Sequence, residues 1–248
     1  MRIDILTIFP EMFAGPIHES ILKIAQERNL VTIRILDLRD YTADKHQVTD
    51  DYQYGGGAGM VMKPEPWFRA TRALSEGNRP RVILLSPQGR RFDQRTANEL
   101  VRYEHILLLC GRYKDVDERV RAGLADEELS IGDYVLSGGE LAAMVVVDCV
   151  VRLIPGVLSD LDSAMGDSFQ NGLLDFPHYT RPQDFEGMKV PEVLCSGNHE
   201  AIRRWRRKEA LRRTLERRSD LIPGLEKTQE DETLLKELYE ERKGVSEE

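Results

Sequence analysis

Residues 130–140 read Ser130-Ile131-Gly132-Asp133-Tyr134-Val135-Leu136-Ser137-Gly138-Gly139-Glu140. Three glycines bracket a short apolar, strand-like core, Tyr134-Val135-Leu136. Glycine goes where backbone must turn tightly or press against a ligand, because it has no side chain to clash. Two similar breaks lie upstream, at Leu84-Leu85-Ser86-Pro87-Gln88-Gly89-Arg90 and Leu109-Cys110-Gly111-Arg112-Tyr113. Each follows or contains a buried-strand pattern and breaks at Gly or Pro. Three such breaks predict a ligand pocket made of loops at strand ends, where open α/β sheets bind their ligands.

The surrounding chain supports such a sheet. Strand patterns at Ile3–Phe9, Val31–Leu36, Val82–Leu85 and Ile106–Leu109 alternate with helical patterns at Pro16–Arg28, Pro64–Glu76, Gln94–Arg102 and Asp115–Ala125. Residues 40–60 are polar and read as a loop ending in Tyr54-Gly55-Gly56-Gly57-Ala58-Gly59-Met60. Leu141–Arg152 fits a helix by its length and Ala pair, and a buried strand by its Val run. The alternation predicts an α/β fold with a mostly parallel sheet and helices on both faces. After Leu158 the character changes. Residues 159–168 are small and acidic, as suits a linker or lid. Beyond Gln183 the chain reads as helical, with a basic helix at His199–Arg217. A second helix, Thr228–Lys243, has a Thr cap, an acidic first turn, a Leu234/Leu235/Leu238 stripe and a basic end.

Composition bounds the function. The chain has 248 residues, 41% hydrophobic and 31% charged, as in a soluble globular protein of one large or two ordinary domains. No apolar run approaches the roughly 18 residues that span a bilayer. The first residues lack the pattern of a signal peptide, so a cytoplasmic location without membrane partners is expected. Cys110, Cys149 and Cys195 are too sparse for a disulfide framework, offer no C-x-x-C zinc pair, and are expected as buried small hydrophobes. The net charge of −8 hides a dipolar arrangement. Residues 203–218 carry nine basic and two acidic side chains, and residues 220–248 carry four basic and ten acidic ones.

Several motifs can be weighed by their chemistry. Tyr54–Met60 lacks the Lys-Ser/Thr of a phosphate loop, leaving a tight turn or a backbone surface approached closely by a base or phosphate. His199-Glu200-Ala201-Ile202-Arg203 begins like a zinc helix but has Arg203 in place of the second histidine, so no metal site is predicted. No G-x-S-x-G elbow supports serine hydrolysis. In Arg203-Arg204-Trp205-Arg206-Arg207, Trp205 reads as packed inward. Like charges at i, i+3 and i+4 repel, so the arginines await either a polyanion or the acidic tail. Asp50, Asp51, Asp133, Asp148, Asp160, Asp162, Asp167 and Asp175 are all candidate bases, and periodicity does not choose among them. Asp167 stands in the linker, where loop closure could deliver it to a substrate.

Taken in order, the motifs resemble one family, the bacterial tRNA (guanine-N1)-methyltransferases of the trefoil-knotted SPOUT class. The likeness runs through Phe9-Pro10-Glu11-Met12-Phe13, Asp51 with Tyr54-Gly55-Gly56-Gly57, Ser86-Pro87-Gln88-Gly89-Arg90 and Gly111-Arg112-Tyr113 with Asp117-Glu118-Arg119-Val120. It continues through Ser130 to Glu140, Ile154-Pro155-Gly156-Val157-Leu158, Asp167-Ser168-Phe169, Pro177-His178-Tyr179-Thr180-Arg181-Pro182 and Leu194 to His199. The resemblance implies a deep trefoil knot in a cofactor-binding α/β domain over 1–158, a flexible linker or lid over 159–169, and a helical tRNA-binding domain over 170–248. It implies S-adenosylmethionine bound by Ser86, Pro87, Gly111, Tyr113, Ile131, Gly132, Asp133, Tyr134, Val135, Leu136, Gly138 and Gly139. Asp167 matches the family's proposed general base, and Arg152 its stabiliser of charge on guanine O6. Asp50, Gly59, Arg203, Arg204 and Arg206 are implied RNA contacts. The substrate would be the guanine just 3′ of the tRNA anticodon, position 37, and the active sites would be shared in a homodimer. Magnesium dependence is implied without a protein site. Lys114 stands where the family often has a Glu near the methionine end of the cofactor. Other readings are a knotted methyltransferase for a different RNA site, or a non-catalytic RNA-binding module.

Overall fold

The structure, a computed structural model, describes residues 1–75, 77–158 and 166–245. Residues 159–165 of the expected linker and Glu76 of the expected Pro64–Glu76 helix lie outside the described residues. The chain divides into two compact units, Met1–Leu161 and Asp162–Glu248.

The first unit is built on strands β1 (Arg2–Thr7), β2 (Thr32–Asp37), β3 (Asp50–Tyr52), β4 (Met60–Met62), β5 (Arg81–Arg91), β6 (His105–Cys110), β7 (Asp115–Val116) and β8 (Glu127–Ser130). Five of them form an all-parallel sheet in the order β2-β1-β6-β5-β8. Its helices are α1 (Ser20–Glu27), α2 (Pro64–Leu74), α3 (Gln94–Leu100), α4 (Glu118–Gly123) and α5 (Glu140–Val151). Because strand side chains alternate between faces, Ile3, Ile5, Ile83, Leu85, Ile106 and Leu108 turn toward α1, α3 and α5. Leu6, Val82, Leu84, Leu107 and Leu109 turn the other way, toward Trp67, Ala70 and Leu74 of α2 and Val120 of α4. Both faces are thus covered, which explains why these strands read as near-continuous apolar runs.

One charged group interrupts that apolar pattern. Asp4 of β1 is fully buried, yet it accepts bonds from Arg34 Nε of β2 at 2.7 Å and faces His105 Nε2 of β6 at 2.9 Å. Arg2 adds a second cation, its Nη2 2.6 Å from Asp4 Oδ2. A buried carboxylate survives only with such partners, and these ones come from both neighbouring strands.

The structure departs from the sequence expectations in identifiable places. The helix expected from Pro16 is split: Pro16–His18 form a 3-10 turn, Ser20 takes φ +51°, and only Ser20–Glu27 are α-helical. The polar stretch 40–60 is not all loop, because β3 and β4 pair antiparallel within it and β7 joins β4. Tyr134-Val135-Leu136 is not a strand. The strand of that region is β8, just upstream, and 131–137 is a bent loop. The ambiguous 141–152 segment is the helix α5, whose valines at 146, 147, 150 and 151 are all buried. Cys110 is buried as expected, but Cys149 is half-buried and Cys195 is exposed, so the small-hydrophobe reading fails for Cys195.

The second unit contains a short hairpin of β9 (Asp184–Phe185) and β10 (Met188–Lys189), then α6 (Glu192–Cys195), α7 (His199–Arg217) and α8 (Gln229–Val245). Asn198 caps α7 by accepting from the Ala201 amide at 3.1 Å. Thr228 and Asp231 cap α8 reciprocally: Asp231 N donates to Thr228 Oγ1 and Thr228 N donates to Asp231 Oδ2. Leu211 and Leu215 of α7 pack with Leu234, Leu235 and Leu238 of α8, and Leu173 and Ile222 complete this core.

Candidate active site

The three glycine-bearing segments leave the sheet at neighbouring strand ends. In β5 the ladder to β8 shifts register, since Leu85 and Arg90 both pair with Leu129. Ser86 to Gly89 therefore bulge out, and Gly89 brings the strand back. A Cβ on Gly89 would lie 2.5 Å from the Glu128 carbonyl carbon and the Leu129 nitrogen, so only glycine fits there. After β6, the Gly111 carbonyl accepts from the Gly139 amide at 3.0 Å, and Arg112 bridges to Gly138. A Cβ on Gly139 would come within 2.8 Å of Cys110 Cα. After β8, Ser130 Oγ donates to the Gly132 carbonyl at 3.0 Å and tightens that turn.

These segments surround one open cleft at the strand ends. Eleven of the residues implied to bind cofactor line it: Ser86, Pro87, Gly111, Tyr113, Ile131, Gly132, Tyr134, Val135, Leu136, Gly138 and Gly139. Asp133 is exposed and is not among the lining residues. Lys114 lines the cleft as well. Tyr113, Tyr134 and Val135 remain 51%, 55% and 85% exposed despite their apolar surface. The cleft thus offers backbone amides and carbonyls beside uncovered flat apolar groups. That donor set fits a purine nucleoside carrying a short aliphatic arm, and S-adenosylmethionine has that shape.

A buried ionic network braces the cleft from behind. Glu140, the first residue of α5, is fully buried and accepts from Arg112 Nε at 3.0 Å and from Thr7 Oγ1 at 2.7 Å. Thr7 Oγ1 in turn accepts from the Phe9 amide, and the Arg112 guanidinium lies 4.4 Å from the Phe9 ring centroid. Ends of β1, β6 and α5 are thereby tied together. Sequence reasoning missed Thr7, Arg112 and Glu140 in these roles. Their only signal was position, Arg112 and Glu140 each being adjacent to the glycines that approach one another. Burial, then the Glu140 charge, pushes the neighbouring Cys110 thiol well up, against the opposing pull of Arg112, so it stays protonated and inert.

The remaining residues of the first unit occupy its periphery. Asp50 lies in β3, opposite Met62. Gly59 has φ +94°, and a Cβ there would touch Lys114 Cβ at 3.5 Å, while the Lys114 amide bonds the Met60 carbonyl at 3.0 Å. The glycine loop therefore abuts the wall of the cleft. Arg152 is half-buried at the C-terminal end of α5, its amide bonded to the Asp148 carbonyl.

In the second unit Asp167 is half-buried in a hollow it shares with Asn171, Asp175, Phe176, Arg203, Arg206 and Arg207. The three implied RNA-contact arginines differ. Arg203 pairs with Glu200 at 2.8 Å and with Glu230 at 2.7 Å, and Arg204 pairs with Glu237. Arg206 instead stacks on Phe176, its guanidinium 4.9 Å from the ring centroid. Trp205 is half-buried, 6.4 Å between centroids from Tyr179. Among the described residues no three or more His, Cys, Asp or Glu side chains cluster as metal ligands, and no helix is long and apolar enough to cross a membrane.

A parallel sheet with helices on both faces and a backbone-walled cleft at its strand ends defines an α/β fold with its candidate site at the strand ends. Comparison of sequences gives the particular kind. The profile described as "tRNA (Guanine-1)-methyltransferase TrmD" matches residues 1–224. A Dictyoglomus turgidum protein named tRNA (guanine-N(1)-)-methyltransferase is 59% identical over 97% of this chain and 98% of its own. Proteins of the same name from Halalkalibacterium halodurans (56%, over 95% of this chain and 96% of its own) and Pelotomaculum thermopropionicum (57%, over 96% of each) are similar throughout. The chain belongs to the tRNA (guanine-1)-methyltransferase family.

Proposed function

We propose that the protein transfers a methyl group from S-adenosylmethionine to N1 of the guanine at position 37, immediately 3′ of the tRNA anticodon. The observation that carries this reading is the convergence of three glycine segments on one backbone-lined cleft, in a chain of this family. S-Adenosylmethionine supplies an electrophilic methyl on a sulfonium and leaves as a neutral thioether. Backbone of Gly111 and of 131–139 reads the adenine edge, and Tyr134 and Val135 cover its face. Guanine N1 carries a proton and is a poor nucleophile. As N1 forms its bond to the methyl carbon, the N1–H proton passes to the Asp167 carboxylate, which acts as general base. Arg152 offsets the negative charge that develops on O6. The target base must leave its stack to reach the cleft. No step is assigned to magnesium.

The same reading includes a trefoil knot at the three segments and a homodimer with shared active sites, in the cytoplasm. Support for the dimer comes from α5, where Leu141 and Val145 are 47% and 42% exposed on the face that also carries the exposed Asp148. Asp167→Asn tests the mechanism. Turnover on tRNA should fall about 10²- to 10⁴-fold, with cofactor affinity within about twofold of the parent on a general-base role. Loss of cofactor binding together with turnover would make Asp167 structural.

A further inference from the structure

The nine cations between Arg203 and Arg218 do not have equal partners. Arg203, Arg204, Arg207, Lys208 and Arg212 are tied to Glu230, Asp231, Glu237 and Glu241 of α8. Arg218 pairs with Asp220. Arg206, Arg213 and Arg217 have no carboxylate partner among the described residues. At 3.6 residues per turn these three project within an arc of about 40°, and the five paired cations centre roughly 150° away around the helix. Arg206 also stands on the wall of two hollows, one holding Asp167 and the other His178 and Tyr179.

Three like charges on one face repel unless an anion joins them. A cation already held by a carboxylate must break that pair to take a phosphate, whereas these three need not. We propose that the Arg206–Arg213–Arg217 face binds the phosphates of the tRNA's single-stranded loop, with Arg206 holding the phosphate beside the nucleotide that reaches Asp167. The exposed Tyr179 lies along the same edge and suits base stacking, the other half of single-strand recognition. The five paired cations then serve folding and not RNA. This inference rests on the tRNA substrate proposed above and adds the surface that grips it.

The test is tRNA binding by the full-length protein, measured by filter retention across a range of KCl. Arg206→Gln, Arg213→Gln and Arg217→Gln should each weaken binding about three- to tenfold, and each should lower the slope of log affinity against log salt by about one contact. Arg206→Lys, which keeps the charge, should recover most of its loss. Arg212→Gln should bind tRNA within about twofold of the parent, with the parent's salt slope. An unchanged far-ultraviolet helix signal and urea midpoint in every variant would rule out unfolding as the cause. If the parent methylates tRNA but the three face variants bind like it, this inference is overturned while the proposed activity stands. If Arg212→Gln loses as much binding as they do, the division between faces is wrong. A parent that neither binds nor methylates tRNA overturns both readings.

Discussion

The cleft of the first unit and the helix pair α7/α8 of the second are built on opposite principles. In the cleft, backbone meets backbone: Gly89 and Gly139 sit where a Cβ would come within 2.5 and 2.8 Å of main-chain atoms, and one buried ion pair stands behind them. Between α7 and α8 the contacts beyond the leucine core are long charged side chains, most of them partly in solvent. Close backbone packing tolerates almost no change, while solvated ion pairs each contribute little. The difference should therefore appear as unequal sensitivity to single substitutions.

The sharpest contrast should come from Glu140→Ala. It leaves the Arg112 guanidinium without its partner in a buried site, at a cost of about 3–5 kcal/mol. Urea denaturation measures this directly, and a loss below about 1 kcal/mol would mean that the network does not brace the cleft. Gly139→Ala should follow at about 1–3 kcal/mol from overpacking, with weaker cofactor binding because Gly139 lines the cleft. Calorimetric titration with S-adenosylmethionine checks the second effect, and unchanged affinity would show that the wall can shift without consequence.

In the second unit, Asp231 is the exception that sharpens the comparison. Burial alone would push its carboxyl pKa up, but hydrogen bonds from Arg207 and Thr228 outweigh that and hold it at about 2, below the ordinary 3.8. The folded state favours the charged form, so the stabilisation is complete above about pH 3.8 and disappears as pH falls through about 2. Denaturant midpoints followed downward from pH 5 should show a loss on the order of 2 kcal/mol that Asp231→Asn lacks. Equal slopes for the two proteins would contradict the assignment. The smallest effect belongs to Lys208→Gln, which removes contacts to Glu237 and Glu241. It should cost less than about 1 kcal/mol at low salt and less still at high salt.

The same contrast explains what could be read from the sequence. Glycines needed for close approach are a local signal, so the three segments were legible, as was the alternation that makes the parallel sheet; the individual lining residues came from the family resemblance. The bounds of α7, His199–Arg217, were legible too, because a cap and a run of helix formers are also local. Partners separated by long stretches of chain were not. Glu140 gives no sign that it bonds Thr7 across 133 positions. A basic block followed by an acidic one signals complementary totals, but not that Arg203 and Arg204 are spoken for while Arg206 is not. Strands β3 and β4 escaped notice because each spans three residues, too short for a period of two to register. Tyr134-Val135-Leu136 misled for the converse reason: its apolar side chains line the cleft and do not pack in a sheet.

Mass-spectrometric mapping of methyl groups on a mixed tRNA pool, treated with the purified protein and S-adenosylmethionine, tests the account most directly. It predicts a single new methyl group, on N1 of the guanine at position 37 of tRNAs that carry one, formed far more slowly when Asp167 is replaced by Asn. Methylation at another base or position, or none from a protein that binds the cofactor, would contradict it.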